Sequence, residues 1–428
     1  MPAVMSSEEV WTDERAEAFL RELLRVAIAS ADPKQVLARH LPAKPAGTCV
    51  VVGAGKAAAS MALAVEAAWP DVAMRGVVVA PYGYGAVGEK ILIREAGHPI
   101  PDANSEIAAR EILAAVQNLE PEDLVLALIS GGGSSVLSLP APGITLEDKQ
   151  ATNRALLASG LDIRTMNAVR RRLSAIKGGK LAVAASPAKV FTLAISDIPG
   201  DDVGAIASGP TVADTYSGVD ISEAIKRLVG RVPQNVIQRL MAPASPPDMP
   251  ATDFKLIAKP ALALEAAAAV GKAAGFDVEI LGDDLEGESR DVAVWMARLA
   301  LAPHSRPKLF LSGGETTVTI ADKRAGQGGR NTEFLLALCL ALQSRRGIWA
   351  LAADTDGLDG CSLDAAGAIL TPDTLDRGRK LGLNAEDGLE GHDSGSYFAA
   401  LGDLLFTGPT RTNINDFRAI LIIPDAIR

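Results

Sequence analysis

The strongest constraint on this sequence is a pattern that occurs five times, in which a short apolar run ends abruptly in a loop of Gly, Ser or Asp. The runs cover residues 49–52, 124–129, 190–195, 308–311 and 348–352. Near-continuous apolar strands that alternate with helices are typical of parallel sheets covered on both faces. Because ligands of such sheets bind beyond the carboxyl ends of the strands, these loops are the candidate functional sites.

The chain is longer, at 428 residues, than one hydrophobic core usually supports, so we expect two domains. The segment MAPASPPDMP, residues 241–250, contains four prolines and can continue neither a helix nor a central strand. We therefore predict domains over residues 1–245 and 251–428. At the N-terminus, residues 6–30 have helical apolar spacing, with Ser7 or Thr12 available as the N-cap.

Composition excludes several classes of function. The formal net charge of -10 disfavours an extended surface for nucleic acid or an anionic membrane. The cysteines, Cys49, Cys339 and Cys361, are odd in number and widely spaced, so we interpret them as small buried residues of a protein in a reducing compartment. No signal peptide is apparent, and the longest apolar run, residues 334–342, is too short to span a bilayer. We expect a soluble, cytoplasmic protein.

The first loop, GAGKAA at residues 53–58, fits the dinucleotide fingerprint GxGxxA after a strand. An NAD site also needs an acidic residue at the end of the next strand, but here residues 76–80 run into Pro81 and Tyr82. The Walker A spacing is not met either. The loop is predicted to present Lys56 near a helix N-terminus, where an anion is favoured; the alternative is a packing turn with a solvated lysine.

The second loop, SGGGSS, places Gly131, Gly132 and Gly133 between hydroxyl side chains at a strand end. Consecutive glycines allow backbone amides to converge on phosphate oxygens. We predict an anion-binding loop, with a flexible connector as the alternative.

Glycines precede a helix again in the second half of the chain. SGGETTV begins at Ser312, and GQGGRNTEF at residues 326–334 puts Arg330 near a helix start. A guanidinium there can stabilise a transferring phosphoryl group or bind a carboxylate. The alternative is a surface arginine.

Carboxylates cluster in the loops SDIPGDD and ADTDGLDG. Phosphoryl transfer needs Mg²⁺ held by one or two carboxylates and by substrate phosphates, so Asp197 and Asp356 are the preferred metal ligands. Other carboxylates are expected to be caps or turn formers. His98 and His392 lie near loops and are interpreted as structural or exposed. The run at residues 170–172, RRR, is interpreted as a solvated helical face, with steering of an anionic substrate as the alternative.

Together these segments resemble the type-2 glycerate kinase family, whose C-terminal part is the MOFRL domain. The similar segments, in order between residues 51 and 416, are VVGAGKAA, GHPIPD, SGGGSS, IKGGKLA, SDIPGDDVGAIASGPTVAD, SGGETTV, GQGGRNTEF, DTDGLDG and TGPTRTNIND. The sequence departs from the family pattern in VRRRLSAIKGGKLA, where members often have His and Arg, and at Arg411, where they often have glycine.

The resemblance implies an α/β fold with a Rossmann-like, parallel-sheet N-terminal domain, a smaller α/β MOFRL-type C-terminal domain and an interdomain cleft. It implies transfer of the γ-phosphoryl group of ATP, with Mg²⁺, to D-glycerate, giving 2-phosphoglycerate and ADP. The alternatives are an NAD(P)H-dependent hydroxypyruvate reductase, a label that relatives also carry, and a non-catalytic nucleotide-binding module. Neither nucleic acid nor membrane is expected as a partner, and a homodimer is expected only at the level of the family.

The resemblance also implies which residues form the site. Lys56 and Arg330 would be catalytic. The residues expected to line the nucleotide and substrate site are Gly53, Gly55, Gly131, Gly132, Gly133, Ser134, Ser135, Asp197, Ser312, Gly313, Gly314, Glu315 and Asn331.

Overall fold

A computed structural model describes residues 11–243, 248–320, 326–360 and 364–425. The chain divides into two compact units. The first unit comprises residues 32–257, and the second comprises residues 258–428 together with the N-terminal segment up to Ala31. Each unit is an α/β structure built around its own sheet.

Helices and strands alternate along most of the chain. The helices are α1 Asp13–Ala29, α2 Pro33–Val36, α3 Ala58–Ala68, α4 Ala103–Ala115, α5 Gly133–Val136, α6 Leu146–Leu157, α7 Ile163–Arg172, α8 Lys180–Ala184, α9 Ser222–Leu228, α10 Gln234–Met241, α11 Pro260–Ala273, α12 Ser289–Leu301, α13 Arg330–Leu342, α14 Thr374–Lys380, α15 Ala385–Glu390 and α16 Ser394–Leu401. The strands are β1 Cys49–Ala54, β2 Met74–Pro81, β3 Ile91–Ala96, β4 Leu124–Ile129, β5 Lys189–Ile195, β6 Thr252–Ala258, β7 Asp277–Ile280, β8 Glu286–Glu288, β9 Lys308–Ser312, β10 Glu315–Thr317, β11 Ile348–Asp354, β12 Gly367–Leu370, β13 Leu404–Leu405 and β14 Asp416–Ile422. Short 3₁₀ turns lie at Ala38–His40, Pro199–Asp201 and Ile206–Ser208.

The sheet of the first unit has the strand order β3-β2-β1-β4-β5-β6. The pairings of β3 with β2, β2 with β1, β1 with β4 and β4 with β5 are parallel. This is the order of the doubly wound, Rossmann-like fold, in which the chain reverses direction across the sheet between β1 and β4. The prediction of a parallel N-terminal sheet is confirmed, and its first two glycine loops follow the two strands at the reversal point.

Small side chains allow close packing of helices on this sheet. Every residue of β1 and β4 is buried. Helix α4 contributes Ala108, Ala109 and Ile112 to the same core as Val79 of β2. Alanines at these positions let the helix approach the strands closely, which suits a chain with only 4% aromatic residues.

The sheet of the second unit is mixed, with the order β13-β12-β11-β14-β9-β7. Strand β14 pairs antiparallel with both β9 and β11. The expectation of parallel pairing is therefore wrong for this unit, because β14, which the sequence pattern did not identify, lies between the two predicted strands. Strands β9 and β11 nevertheless run in the same direction, so their loops leave one edge of the sheet.

The N-terminal helix packs within the second unit. Its N-cap is Thr12, one of the two predicted candidates, whose side chain accepts a hydrogen bond from the Arg15 amide. The other candidate, Ser7, lies outside the described residues. Trp11 and Phe19 form ring contacts with Phe276 at centroid distances of 5.3 Å each. This grouping differs from the predicted domain over residues 1–245, because α1 packs against α11, β11 and β14.

The predicted linker, residues 241–250, is described only in part, since residues 244–247 lie outside the described ranges. Strand β6 follows it and still belongs to the first sheet. The boundary between the units accordingly falls after residue 257.

Two of the three cysteines fit the sequence interpretation. Cys49 and Cys339 are buried and free. Burial raises the pKa of each thiol to about 12, so neither is a reactive thiolate at neutral pH. Cys361 lies outside the described residues. In the described ranges, none of the helices has the length and apolar character needed to cross a bilayer.

Candidate functional site

The first group of candidate residues lies beyond the carboxyl ends of β1 and β4. The parallel register aligns Ala54 with Ile129, so the two loops leave the sheet side by side. The Lys56 amide donates to the Gly131 carbonyl at 2.8 Å. The Ala57 amide donates to Ser130 Oγ at 3.0 Å. The structure thus brings together two loops that are 73 residues apart in sequence.

The glycines of GAGK serve contact between these loops. Gly55 has a φ of +126°, and a Cβ there would overlap with the Ser130 side chain and lie 2.7 Å from the Gly131 carbonyl oxygen. A Cβ on Gly53 would overlap with the Leu128 carbonyl. These positions therefore need glycine because neighbouring backbone approaches closely.

The backbone of the SGGG loop is open to an acceptor. Among the described residues, the amides of Gly131, Gly132 and Ser134 have no hydrogen-bond acceptor. Gly132 is left-handed, with a φ of +74°, and a Cβ there would lie 3.1 Å from the His98 ring and 3.5 Å from Lys56 Cγ. Lys56 and His98 therefore flank a turn whose amides are available to an anion.

A buried lysine that the sequence interpretation missed holds this loop. Lys177 Nζ donates to the Ser134 carbonyl at 2.5 Å and to Ser134 Oγ at 2.8 Å. Ser134 Oγ lies 2.8 Å from Ser208 Oγ, and Ser135 Oγ donates to the Gly132 carbonyl at 3.0 Å. Burial, followed by repulsion from other cations, holds the pKa of Lys177 well below its usual value. The serines predicted to line the site are thus partly engaged in fixing the loop.

A cavity of about 370 Å³ opens beside this loop, within the first unit. Its lining includes Gly132, Ser135, Lys149, Arg170 and Lys177 and, among the residues that the structure describes, no Asp or Glu. Lys177 stands in the segment IKGGKLA, to which the sequence interpretation gave no role, and Lys149 stands in none of the quoted segments. Burial in the folded protein distinguishes both from solvated lysines.

The arginine run of α7 is not a solvated face, so that interpretation is wrong. Arg171 is 1% exposed, forms an ion pair with Asp214 at 2.6 Å and stacks on Tyr216. Arg170 lies at the cavity and donates from Nε to Asn153 Oδ1 at 2.9 Å. The reason is tertiary packing, because α7 is covered by the helices that form a separate small core of the first unit.

The third loop at this edge carries Asp197, which follows β5 and is partly buried. Asp202 in the same loop accepts hydrogen bonds from the Gly204 amide at 2.9 Å and from the Tyr216 hydroxyl at 2.8 Å. Asp202 therefore stabilises a turn, as expected for some of these carboxylates. Asp197 remains the predicted metal ligand of this loop.

The second group of candidate residues surrounds Arg330, at the start of α13. Its Nε, Nη1 and Nη2 lie 2.8 Å from oxygens of Asp416, Glu315 and Asp354, respectively. Burial alone would lower the pKa of Arg330, but these carboxylates outweigh it and hold the pKa above its usual value. Arg330 is thus a fixed, permanently charged group rather than a solvated surface arginine.

The N-terminus of α13 is closed by a buried carboxylate. Asp359 accepts hydrogen bonds from the amides of Asn331 and Thr332, both at 2.9 Å, and burial raises its pKa. Asn331 has no exposed surface, and its side chain donates to Asp416 at 2.7 Å. Asn331 accordingly positions one of the carboxylates that hold Arg330.

The SGGE loop differs from the SGGG loop in that its backbone amides donate hydrogen bonds to the protein itself. The Gly313 amide donates to the Gly282 carbonyl at 2.9 Å, and the Glu315 amide donates to the Leu285 carbonyl at 3.0 Å. Gly314 has a φ of +102°, and a Cβ there would overlap with the Leu285 backbone. The close approach that these glycines permit is to the protein's own chain.

Buried side chains support this loop from within the unit. Ser312 has no exposed surface, and its hydroxyl contacts Met296 Sδ at 3.8 Å. Arg418, also without exposed surface, donates to the Gly313 carbonyl at 2.9 Å and to Asp416 at 2.5 Å. Ser312 is therefore a core residue, whereas Glu315 contacts Arg330 directly.

Asp356, the other predicted metal ligand, lies in a tight turn after β11. Its carboxylate accepts from the Leu358 amide at 2.8 Å, and its own amide donates to Asp354 at 3.0 Å. In the described part of the chain, no group of three His, Cys, Asp or Glu residues is arranged to hold a metal ion. The role of Asp356 as a ligand stays a prediction.

A second cavity, of about 600 Å³, lies within the second unit beside Arg330. The glycines at residues 326–329 form part of its wall. Glu333 lines it as well, held by Arg290 Nε at 2.6 Å and by His392 Nδ1 at 3.1 Å. His392 is thus a structural partner of a buried carboxylate, as the sequence interpretation allowed.

Comparison with known proteins supports one family for the whole chain. Residues 19–241 match a domain of unknown function, DUF4147, and residues 308–416 match the MOFRL family. A putative hydroxypyruvate reductase of Agrobacterium vitis is 52% identical over 420 residues, which is 96% of each chain. The D-glycerate 2-kinase of Thermotoga maritima is 35% identical over 410 residues, covering 94% of this chain and 97% of that protein.

The fold agrees with a solved structure of the same group. The crystal structure of glycerate kinase from Thermotoga maritima matches with a TM-score of 0.86 at 33% identity, and the match covers 96% of this chain and all of that one. The chain therefore belongs to the type-2 glycerate kinase family, a family of kinases whose C-terminal part is the MOFRL domain.

Proposed function

We propose that this protein is an ATP-dependent glycerate 2-kinase, which transfers the γ-phosphoryl group of ATP to D-glycerate and releases ADP and 2-phosphoglycerate. Two fixed cations carry the proposal in a member of this family, Lys56 in the loop after β1 and Arg330 at the start of α13. Catalysis of phosphoryl transfer is almost entirely positioning and electrostatic stabilisation. Relatives that are named as glycerate kinases support the choice of acceptor.

Arg330 is proposed to contact the transferring phosphoryl group. Its three carboxylate partners fix the orientation of the guanidinium and keep it charged at any working pH. The N–H donors that these partners leave unused can bind phosphoryl oxygens. The cavity of about 600 Å³ beside Arg330 has the volume of a small-molecule site and is the proposed position of the nucleotide.

Lys56 is proposed to orient the acceptor and to neutralise charge as the phosphoryl group arrives. It lies against Gly132, whose loop carries amides without a protein acceptor among the described residues. A loose transition state reduces the need for a strong general base. The lysine's contribution is therefore position and charge.

The donor set is compatible with Mg²⁺. Kinases commonly hold Mg²⁺ with one or two carboxylates together with substrate phosphates, so a three-ligand protein cluster is not required. We propose Asp197 and Asp356 as the protein ligands. When bound, Mg²⁺ neutralises charge on the phosphate oxygens.

Hydroxypyruvate reduction is the second candidate, because a relative that is 52% identical carries that name. Two features weigh against it. The amides of Lys56 and Ala57 donate to the neighbouring loop instead of facing a dinucleotide pyrophosphate. An NAD site also needs a free acidic residue at a strand end. Glu95, at the end of β3, does not provide one, because it accepts hydrogen bonds from the amides of Gly83 and Gly85 at 2.7 and 3.0 Å and so holds the loop after β2.

The test is to incubate the pure protein with ATP, Mg²⁺ and D-glycerate and to identify the phosphoglycerate isomer by ³¹P NMR. We expect 2-phosphoglycerate and stoichiometric ADP. Oxidation of NADH with hydroxypyruvate is followed in parallel. NADH oxidation without phosphoglycerate would replace the kinase proposal by the reductase, and ATP binding without turnover would favour a non-catalytic module.

The roles of the two cations are tested by Lys56→Ala and Arg330→Ala. Removing one donor that stabilises transition-state charge lowers kcat by about 10²- to 10³-fold. The matched controls are Lys44→Ala and Arg379→Ala, whose side chains are 49% and 70% exposed and form surface ion pairs. Wild-type turnover in either test variant would remove that residue from the mechanism.

A further inference from the structure

The cavity beside the SGGG loop has an unusual charge balance for a partly enclosed space. Lys149, Arg170 and Lys177 line it, and within the described part of the chain its lining includes neither Asp nor Glu. Cations withdrawn from water are normally paired with carboxylates. A cavity whose described lining collects cations and no carboxylate suits an anionic ligand.

Lys149 is a buried cation of this cavity. Its Nζ has almost no exposed surface and no hydrogen-bond partner among the described residues. An ammonium group in this condition is costly to bury. Burial, followed by repulsion from Lys180, lowers its pKa to about 8, and the attraction of Glu106 does not offset them. An anion in the cavity would satisfy it.

Arg170 and Lys177 are bonded only to neutral groups. Arg170 donates from Nε to Asn153 Oδ1 at 2.9 Å and from Nη1 to Asn167 Oδ1 at 3.1 Å. Lys177 donates to Ser134. These contacts fix the direction of the side chains without cancelling their charge. The adjacent Arg171, in contrast, is neutralised by Asp214.

The remaining lining supplies neutral hydrogen-bonding groups. Ser135, Ser138 and Gln150 line the cavity, and the open amides of Gly131 and Gly132 belong to the loop at its edge. Such groups recognise hydroxyls as well as a carboxylate. The volume of about 370 Å³ is at the small end of ligand pockets and suits a short acid better than a nucleoside triphosphate.

We propose that this cavity binds the acceptor acid, with Lys149 and Arg170 holding its carboxylate and the loop beside Lys56 holding its hydroxyl end. The ligand class is a short 2-hydroxy carboxylic acid. Lys177 is a positioning residue, because it acts through Ser134 and the loop. The identification of the ligand as the phosphoryl acceptor rests on the proposed kinase function, whereas the carboxylate site itself does not.

The test is a kinetic and binding comparison of Lys149→Met with the wild type. Methionine removes the buried charge while keeping the volume, so the variant is expected to fold at least as well as the wild type, as thermal melting will show. Loss of a contact to a charged group should raise the KM for D-glycerate by about 10- to 100-fold. The values of kcat and of the KM for ATP should stay within about threefold of the wild type. Arg154→Met, an exposed residue of the same helix α6, is the matched control and should behave as the wild type.

Direct binding separates this proposal from the kinase proposal. Calorimetry with D-glycerate, without nucleotide, should show binding that Lys149→Met weakens, and glycerol, which lacks the carboxylate, should not bind. The same outcome in a protein that forms no phosphoglycerate would support the carboxylate site and overturn the kinase function alone. An active Lys149→Met enzyme with unchanged KM for D-glycerate, or one with only the KM for ATP raised, would overturn the acid site. Arg170→Gln provides the same readouts if Lys149→Met does not fold.

Discussion

The loops SGGGSS and SGGETT are alike in sequence but opposite in their surroundings. The first leaves three backbone amides without an acceptor among the described residues and opens on a cavity lined by cations. The second uses its Gly313 and Glu315 amides within the protein and holds Arg330 among carboxylates. Consecutive glycines at a strand end therefore indicate that something approaches the backbone closely, but not whether it is a ligand or the chain itself.

The charges of the two regions are organised in opposite ways as well. At the first loop, Arg170 and Lys177 donate to neutral groups, and Lys149 Nζ has no hydrogen-bond partner among the described residues. At the second, each charge has its partner, and Arg330 is fixed by three carboxylates. The first region should therefore respond to ligands and to pH, whereas the second should respond mainly to loss of a partner. Three experiments test this contrast.

The largest effect is expected from Asp416→Asn in the second region. Asp416 and Arg418 have no exposed side-chain surface, and Asp416 also holds Arg330. Removing one partner of a buried pair leaves an uncompensated charge, so the free energy of unfolding should fall by about 3–5 kcal/mol. Chemical denaturation measures the change.

The matched control for this substitution is Glu315→Gln. Glu315 contacts the same Arg330 but is half exposed. Loss of its ion pair should lower the free energy of unfolding by no more than about 1 kcal/mol, because solvent screens the charge. Equal effects of the two substitutions would contradict the view that the second region is held by buried partners.

A smaller effect, which differs in size between the two loops, is expected when alanine replaces a glycine that has a positive φ. In Gly314→Ala the new Cβ would overlap with the Leu285 backbone, in addition to the strain at φ +102°. In Gly132→Ala the new Cβ would lie 3.1 Å from the His98 ring and 3.5 Å from Lys56 Cγ, both side chains, with φ +74°. We expect losses of unfolding free energy of about 3 kcal/mol for the first and about 1 kcal/mol for the second.

The two glycine variants should separate further in enzyme assays. Gly132→Ala should weaken acceptor binding because it disturbs the open loop, whereas folded Gly314→Ala should retain the wild-type KM for D-glycerate. Melting temperatures and kinetics on the same preparations give both quantities. A Gly132→Ala enzyme with unchanged KM would show that this loop, too, serves packing alone.

The sequence predicted much of the first region. Apolar runs located β1 and β4, and the doubly wound order of the sheet places their loops together, which brings Lys56 against Gly131. The second region was less accessible. Strand β14 lacks a glycine loop at its end, and so the antiparallel strand between β9 and β11 was not anticipated.

Charged residues on helices were the least predictable part of the site. Lys149 lies in the polar sequence of α6, which is indistinguishable from a solvated helix until the opposing elements are known. Arg171 was interpreted as exposed because it stands in a run of three arginines, yet it is buried against Asp214 and Tyr216. Burial of a charged side chain depends on tertiary contacts, and local spacing does not encode them.

The smallest effect, and the sharpest contrast between the regions, is expected from pH. Burial and Lys180 lower the pKa of Lys149 to about 8, while Glu106 acts in the opposite direction; His98, Arg170 and Lys177 also line its cavity. An anion binds the protonated amine, so the pKa rises in the complex, and affinity falls once the free enzyme loses the proton above about pH 8. The KM for D-glycerate should therefore rise about tenfold between pH 7 and pH 9.

Lys149→Arg is the control for this titration, because a guanidinium keeps its charge over the whole range and should flatten the rise in KM above pH 8. Arg330 in the second region should not contribute to the change in KM above pH 8, since its carboxylate partners hold its pKa above the ordinary arginine value. A rise in KM that persists in Lys149→Arg would assign the pH dependence to another group. A rise that disappears would tie the pH dependence to Lys149, a buried cation without a hydrogen-bond partner among the described residues, and so to an anionic ligand at the first loop.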